Sequence, residues 1–388
     1  MHASIPCSQR WKNGIRERRL MKIAFVLENI LGHATHATNL KKVIAHPSDI
    51  IPHYVDLSME MRDYHWLFKI PKYGRYFHLS WTLRCGFEAK RQLRRQAKKM
   101  DVIFFHTQIT ATASRKLMKK RPCVLSLDAA PYSETYYEPW DNEERRIRKR
   151  RFYKRLFDHA AHLVAWSQWA KDNLEKYYEL PSEKITVIPP GVDTQKFCPP
   201  ALPEGQSTRG GDGIVRILFV GGEFRRKGGG WLSRWAQSTK QENWELHLVT
   251  RDKLSSRRSR IPNVFVHNDL QNNSDDLIAL YQKCDIFAFP TRQENLGLVA
   301  IEAMACGLPV VITDVCATGE VVTDGQSGFL IDPSNRALFF KRLDELVENT
   351  ELRHRLGRQA RTEAVERFDA DKNYTRLLDL LRSQSRKR

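Results

Sequence analysis

Two consecutive doubly wound α/β units are what this sequence predicts, and three observations carry the prediction. Short apolar runs of strand length alternate with longer helix-compatible segments. The alternation stops in a Pro- and Gly-dense stretch, 191–213, and then restarts. At 388 residues the chain exceeds one ordinary core, and 41% hydrophobic content suffices for two.

Residues 1–20, with Arg10, Lys12, Arg16, Arg18 and Arg19, read as a flexible basic extension without the apolar block of a secretory signal. In the first unit, 21–190, "MKIAFVLENI" is a strand that runs into a glycine-led turn and a helix. Further strands are read at "DVIFFHT" (101–107), "CVLSLD" (123–128), "HLVAWS" (162–167) and "KITVIPP" (184–190), with helices over 84–100 and 143–158. The second unit, 214–366, has strands at "VRILFVGG" (215–222), "WELHLVT" (244–250), "NVFVHN" (263–268), "DIFAFP" (285–290) and "PVVITD" (309–314). A final helix occupies 367–388. Ligands of doubly wound sheets bind beyond the carboxyl ends of the strands, so two such sheets are expected to face each other across a cleft.

The seven cysteines are scattered, without a C-x-x-C pair or zinc spacing, and are read as reduced thiols. No apolar run reaches the roughly 20 residues of a membrane span, and the expected compartment is the cytoplasm. The formal charge of +19 is uneven: residues 1–190 hold 35 Lys and Arg against 19 Asp and Glu, and residues 191–388 hold 29 against 26. Such asymmetry concerns partners rather than fold.

"PTRQENLGLVAIEAMACG" carries the most chemistry. Pro290 ends a strand, Gln293 to Gly297 make a turn, and a helix follows. Glu294 therefore precedes the helix and Glu302 lies in its second turn, about 10 Å away by helical rise. Each carboxylate can accept from two hydroxyls, while the N–H groups of Asn295, Leu296 and Gly297 favour an anionic or hydroxyl-rich group. Spacing alone favours a capping acid plus a solvated helix glutamate. "VGGEFRRKGG" places Arg226 and Lys227 in a Gly-flanked loop after a strand, where cations can meet an anionic group; an ordinary solvated loop is the competing reading. In "ENILGHATH", Gly32 lets backbone N–H groups approach a phosphate or sugar, and His33 and His36 read as polar helix-start residues. His106 ends "DVIFFH" as a lone strand-end histidine, a type more often satisfied locally than catalytic.

Together, "CDIFAFPTRQENLGLVAIEAMACGLPVVITD", "VIPPGVDTQKFCPP" and "LFVGGEFRRKGG" resemble the signature set of the family 4 glycosyltransferases. The likeness is dense from about Ile185 to Pro333 and thinner, though colinear, from Met21 to Tyr178. It implies a GT-B fold of two Rossmann-like domains, with 21–190 on the acceptor side, 214–366 binding the nucleotide sugar, and the last helix bracing the first domain. It also implies sugar transfer from a nucleotide-diphosphate donor to a hydroxyl with retention of configuration, without a metal or other cofactor. By this resemblance Glu294 meets the donor sugar, Glu302 the ribose and Lys227 the diphosphate, helped by a nearby arginine. In many relatives that arginine follows the loop's first glycine, where this chain has Gly222; Arg226 and Arg225 are the candidates here. Relatives often carry a histidine where "VLSLD" ends in Asp128, whose carboxylate could instead orient a hydroxyl or stabilise positive charge on the sugar ring. An epimerase or a phosphorylase on the same fold is the alternative.

The basic half mixes rings with cations. "FEAKRQLRRQAKKM" (87–100) is read with Lys90, Arg91, Arg94, Arg95 and Lys98 on one face and Phe87, Leu93, Ala97 and Met100 toward another. "RRIRKRRFYKR" (145–155) adds eight cations around Phe152 and Tyr153, and an aromatic run spans Tyr64 to Trp81. This suits an anionic bilayer surface and a lipid-linked acceptor, with a plain solvated face as the other reading. Nucleic acid is disfavoured, since no recognised reading module is present.

Overall fold

The computed structural model describes residues 20–58 except 30 and 48, 77–131, 143–200, 209 and 211–386. The basic extension up to residue 19 and the aromatic run from Tyr64 to Tyr76 lie outside them.

The first sheet holds β1 (Met21–Asn29), β2 (Ile50–Ser58), β3 (Val102–Phe105), β4 (Cys123–Leu127), β5 (His162–Ala165) and β6 (Ile185–Val187), all parallel, in the order β2-β1-β3-β4-β5-β6. Both faces are covered, as parallel strands require. Along β1 and β3, Ile23, Phe25, Leu27, Val102 and Phe104 enter one core, whereas Ala24, Val26, Ile103 and Phe105 enter the other. Helices α1 (Leu31–Ile44), α2 (Phe77–Leu93), α3 (Glu143–His159) and α4 (Gln168–Tyr178) accompany this sheet.

The second sheet holds β7 (Val215–Val220), β8 (Trp244–Val249), β9 (Val264–His267), β10 (Ile286–Phe289), β11 (Val310–Thr313) and β12 (Gly328–Ile331), again parallel, in the order β12-β11-β10-β7-β8-β9. Its helices of two turns or more are α5 (Gly229–Ser238), α6 (Asp275–Lys283), α7 (Leu298–Ala305), α8 (Arg336–Glu348) and α9 (Thr350–Arg367). The last helix, α10 (Ala370–Arg386), returns to the first sheet. Its Tyr374, Leu377, Leu378 and Leu381 pack with Phe25, Leu40 and Phe104, and Arg382 grips Asp49 at 3.1 and 2.9 Å.

β2 and β12 are strands that the alternation of apolar runs does not reveal, and both are sheet edges. "IIPHYVDLS" contains Pro52, which an edge strand tolerates because one row of its backbone groups is unpaired. The helix read at 84–100 starts earlier, at Phe77, and stops at Leu93; a turn and a 3-10 segment, Ala97–Lys99, follow.

The strand orders fix where a ligand can sit. Each sheet has a switch point where chain order reverses: between β1 and β3 in the first, and between β7 and β10 in the second. Loops leaving adjacent strands diverge there and open a crevice.

Candidate active site in the cleft

The loops after β7 and β10 carry the two motifs, and glycines let them meet. Gly228 has φ +79°, and a Cβ there would lie 1.7 Å from the Pro290 carbonyl oxygen, so only glycine lets the β7 loop press on the end of β10. Gly297, at φ +95°, turns the β10 loop into α7. Lys227 and Glu294 are thereby brought into a direct ion pair through Nζ and Oε2, with side chains 14% and 18% exposed. The ammonium also lies 5.6 Å from the centroid of the Phe289 ring.

Arg226 stands beside this pair but is engaged elsewhere. It forms a two-pronged contact with Glu223 at 2.9 and 2.8 Å and donates to the Gln293 carbonyl at 3.1 Å. This holds the Glu223 carboxyl below its ordinary range. Arg225 is exposed. The Arg251 guanidinium occupies the space beside Gly222, 2.7 Å from where a Cβ would be; no signal near "VGGEF" pointed to Arg251.

Glu302 lies in the second turn of α7 and is buried. Tyr281 Oη donates to its Oε2 at 2.9 Å, and desolvation pushes the carboxyl up to about 7. Leu296 is buried in the core, so its contribution to the cleft is its backbone. Gly32 is in the first turn of α1, with open space beside it: a Cβ there would meet nothing within 4 Å.

Asp128, just past β4, is a bridge between domains. It accepts from Asn295 Nδ2 at 2.8 Å and lies 3.9 Å from His33 Nε2. Asn295, singled out for its backbone N–H, thus also contributes its side chain to the opposite domain. His106 does not face this point. It is fully buried, accepts from the Glu28 N–H at Nδ1 (3.3 Å) and stacks on His36 at 4.3 Å, which stacks on Trp166 at 4.9 Å. Burial depresses His106 strongly and takes His36 down to about 3, so both rings are neutral. His33 is the imidazole beside Asp128.

A second bridge escaped the sequence. Glu320 accepts from the Gln168 and Trp169 N–H groups at 2.7 and 2.6 Å, capping α4 from the other domain, while Ser167 Oγ accepts from Ala170 N–H at 3.1 Å. Its signal would have been a pairing across about 150 residues, which local pattern does not encode. Among the described residues no group of three or more His, Cys, Asp or Glu could hold a metal ion.

Twin parallel-sheet domains facing across a cleft make a GT-B fold, and the family matches make the chain a protein of the glycosyltransferase type. Residues 216–363 match the family model "Glycosyl transferases group 1", and residues 36–196 match "Glycosyltransferase Family 4". The chain is 30% identical over 223 residues to a D-inositol 3-phosphate glycosyltransferase of Paenarthrobacter aurescens, covering 54% of this chain and 55% of that one. To its namesake from Pseudarthrobacter chlorophenolicus it is 27% identical over 309 residues, 75% and 72% of the two chains. The chain thus spans little more than half the length of the first of these relatives. Among solved structures, sucrose-phosphate synthase of Thermosynechococcus elongatus superposes with a TM-score of 0.73 at 18% identity, over 94% of this chain and 98% of that one. Anabaena Alr3699/HepE in complex with UDP and glucose gives 0.68 at 18%, over 94% and 100%.

Proposed function

We propose that the protein is a retaining, family 4-like glycosyltransferase that moves a hexose from a nucleotide-diphosphate donor to an acceptor hydroxyl. The observation that carries this reading is the Lys227–Glu294 pair at the β7/β10 switch point, facing Asp128 and His33 of the opposite domain. Residues 214–366 hold the donor. Lys227 turns from Glu294 to the diphosphate and neutralises charge as the anomeric C–O bond breaks toward phosphate. Glu294 and the backbone N–H groups of Asn295, Leu296 and Gly297 receive the sugar and phosphate, Glu302 the ribose, and Gly222 and Gly32 let the chain approach the ligand closely. Arg226 or Arg225 adds positive charge. A new bond forms between the acceptor oxygen and the anomeric carbon, and the acceptor proton leaves with the diphosphate.

Residues 21–190 present the acceptor, oriented by Asp128, and α10 braces them. The acceptor is a sugar or a lipid-linked hydroxyl at the cytoplasmic face of a membrane. Support for a peripheral membrane surface is the exposure of Leu83 and Phe87 on α2 and of Ile147 and Phe152 on α3 among the cations of the basic half. Phe87, expected on the apolar face of its helix, is 60% exposed, whereas Leu93, Ala97 and Met100 are buried. Names of the relatives make D-inositol 3-phosphate an acceptor to include in any screen.

The test is a thermal-shift screen with UDP, GDP, ADP and CDP followed by labelled nucleotide sugars. Stabilisation by one nucleotide and transfer of its sugar is expected. Phosphate-dependent breakdown without transfer would make the protein a phosphorylase, an epimerised donor an epimerase, and salt-sensitive RNA binding without donor affinity would overturn the reading.

A further inference from the structure

The second domain has a hollow at the end of its sheet opposite the cleft. Asp285 and Pro309, which immediately precede β10 and β11, line a cavity of about 470 Å³ together with Arg209, Arg353, Arg358 and Arg361. Among the described residues that line it, four guanidinium groups face one carboxylate, an excess of three positive charges. Burial opposes the charge on Arg209 and on Arg353, and the carboxylate that offsets both is Asp285. Three of the four are fixed on backbone carbonyls. Arg209 donates to the Gln282 and Gly307 carbonyls at 3.4 and 2.8 Å, and Arg353 to those of Leu346 and Val347 at 2.8 and 2.9 Å. Arg361 fixes one terminal nitrogen on the carbonyls of Thr194, Phe197 and Ala305 at 2.9, 2.9 and 2.7 Å, which orients the rest of its planar fork. Arg358 lies one turn earlier on the same face of α9 and is exposed.

A rigid floor of oriented guanidinium groups with an unbalanced charge is the arrangement that recognises a phosphoryl group. We propose that this cavity is a second binding site, separate from the cleft, for a phosphate-bearing small anion held between Arg358 and Arg361. Free orthophosphate, pyrophosphate and a sugar phosphate share the required chemistry. Because Arg361 also holds the carbonyls of Thr194 and Phe197, the anion would sit against the segment that joins the two domains.

The experiment is calorimetric titration of the full chain with orthophosphate, pyrophosphate and glucose 6-phosphate at constant chloride-balanced ionic strength. It is run on the wild type, Lys227→Ala, Arg358→Glu and Arg358→Gln. Phosphate binding that survives Lys227→Ala, weakens on the order of 10-fold or more in Arg358→Glu and falls less in Arg358→Gln is expected. The ranking of the three anions separates a free-phosphate site from one that also reads a sugar. Arg358→Glu should keep the melting temperature and the nucleotide response of the wild type. An isotherm unchanged by Arg358→Glu, or abolished by Lys227→Ala alone, would overturn the proposal. If the cleft does not bind diphosphate at all, Lys227→Ala changes nothing and the Arg358 variants still decide, so the two readings fail separately.

Discussion

Lys227→Ala is the decisive perturbation of the cleft. Its ammonium is only 14% exposed and already sits against one carboxylate, so it acts in a medium of effective dielectric near 20 rather than in bulk water. A unit charge about 4 Å from a developing phosphate charge is worth about 4 kcal/mol there, and removal of one preorganised charge-stabilising donor costs about 3–4 kcal/mol. The expected loss in kcat/KM is therefore 10²- to 10³-fold by the usual conversion of about 1.4 kcal/mol per decade. Arg226→Ala should cost less than about 10-fold, because that guanidinium is 36% exposed and bound to Glu223. The assay is initial-rate transfer with the donor found in the nucleotide screen, at a temperature well below the melting point of each variant. Adding Glu294→Ala closes a double-mutant cycle, in which residues in direct contact are expected to couple by about 0.5–3 kcal/mol. A Lys227→Ala enzyme within 10-fold of wild type, or an Arg226→Ala enzyme more damaged than it, would refute the reasoning.

Three further outcomes follow from the same geometry. Glu302 is an acid whose folded-state pKa is raised, so the folded state binds the extra proton. The resulting stability is fully present below about 4.5 and lost as pH rises through about 7. Relative to Glu302→Gln, the wild type should lose about 3 kcal/mol across that window in urea melts, and parallel curves would contradict it. Glu320→Ala leaves two N–H groups at the start of α4 without their acceptor and should cost about 1–2 kcal/mol, visible as a lower urea midpoint. Phe87→Ser with Phe152→Ser should reduce co-sedimentation with phosphatidylserine vesicles while leaving transfer to a soluble acceptor intact; unchanged sedimentation would remove those rings from the membrane surface.

Legibility in the sequence followed physical locality. Ten of the strands are apolar runs bounded by turns, and they could be read because a strand buried on both faces is apolar throughout. β2 and β12 could not: Pro52, His53 and Asp56 interrupt the apolar pattern of β2, and β12 is only the four residues "GFLI". At the site, the Gly228 and Gly297 turns and the Lys227–Glu294 pair lie within motifs of contiguous residues. The partners of Asn295, Glu320 and Gly222 do not. Asp128, Gln168 and Arg251 come from strand ends or helix starts whose meeting depends on the packing of whole elements. His106 illustrates the converse. It stands at a strand end as a catalytic histidine would, but only the stack with His36 and Trp166 reveals that it is sealed inside.

The loop after β10 links ligand contact to the relation between domains. Within two adjacent residues it supplies Glu294 to Lys227, the Asn295 side chain to Asp128, and the Asn295 carbonyl to the N–H of Ala317 at 3.2 Å. Ala317 caps the 3-10 turn Thr318–Glu320, whose final carboxylate caps α4. A donor that draws Lys227 away from Glu294 therefore acts on a segment that already carries one interdomain hydrogen bond and is one hydrogen bond removed from the other. Donor binding and domain closure are on that account expected to be linked, and the linkage is reciprocal: a substitution that loosens the Asp128–Asn295 bridge must weaken the nucleotide by the same factor by which the nucleotide tightens the bridge. Asn295→Ala, which deletes the side-chain bridge but keeps the backbone carbonyl, separates this coupling from simple loss of a ligand contact. It should lower nucleotide affinity in the full chain.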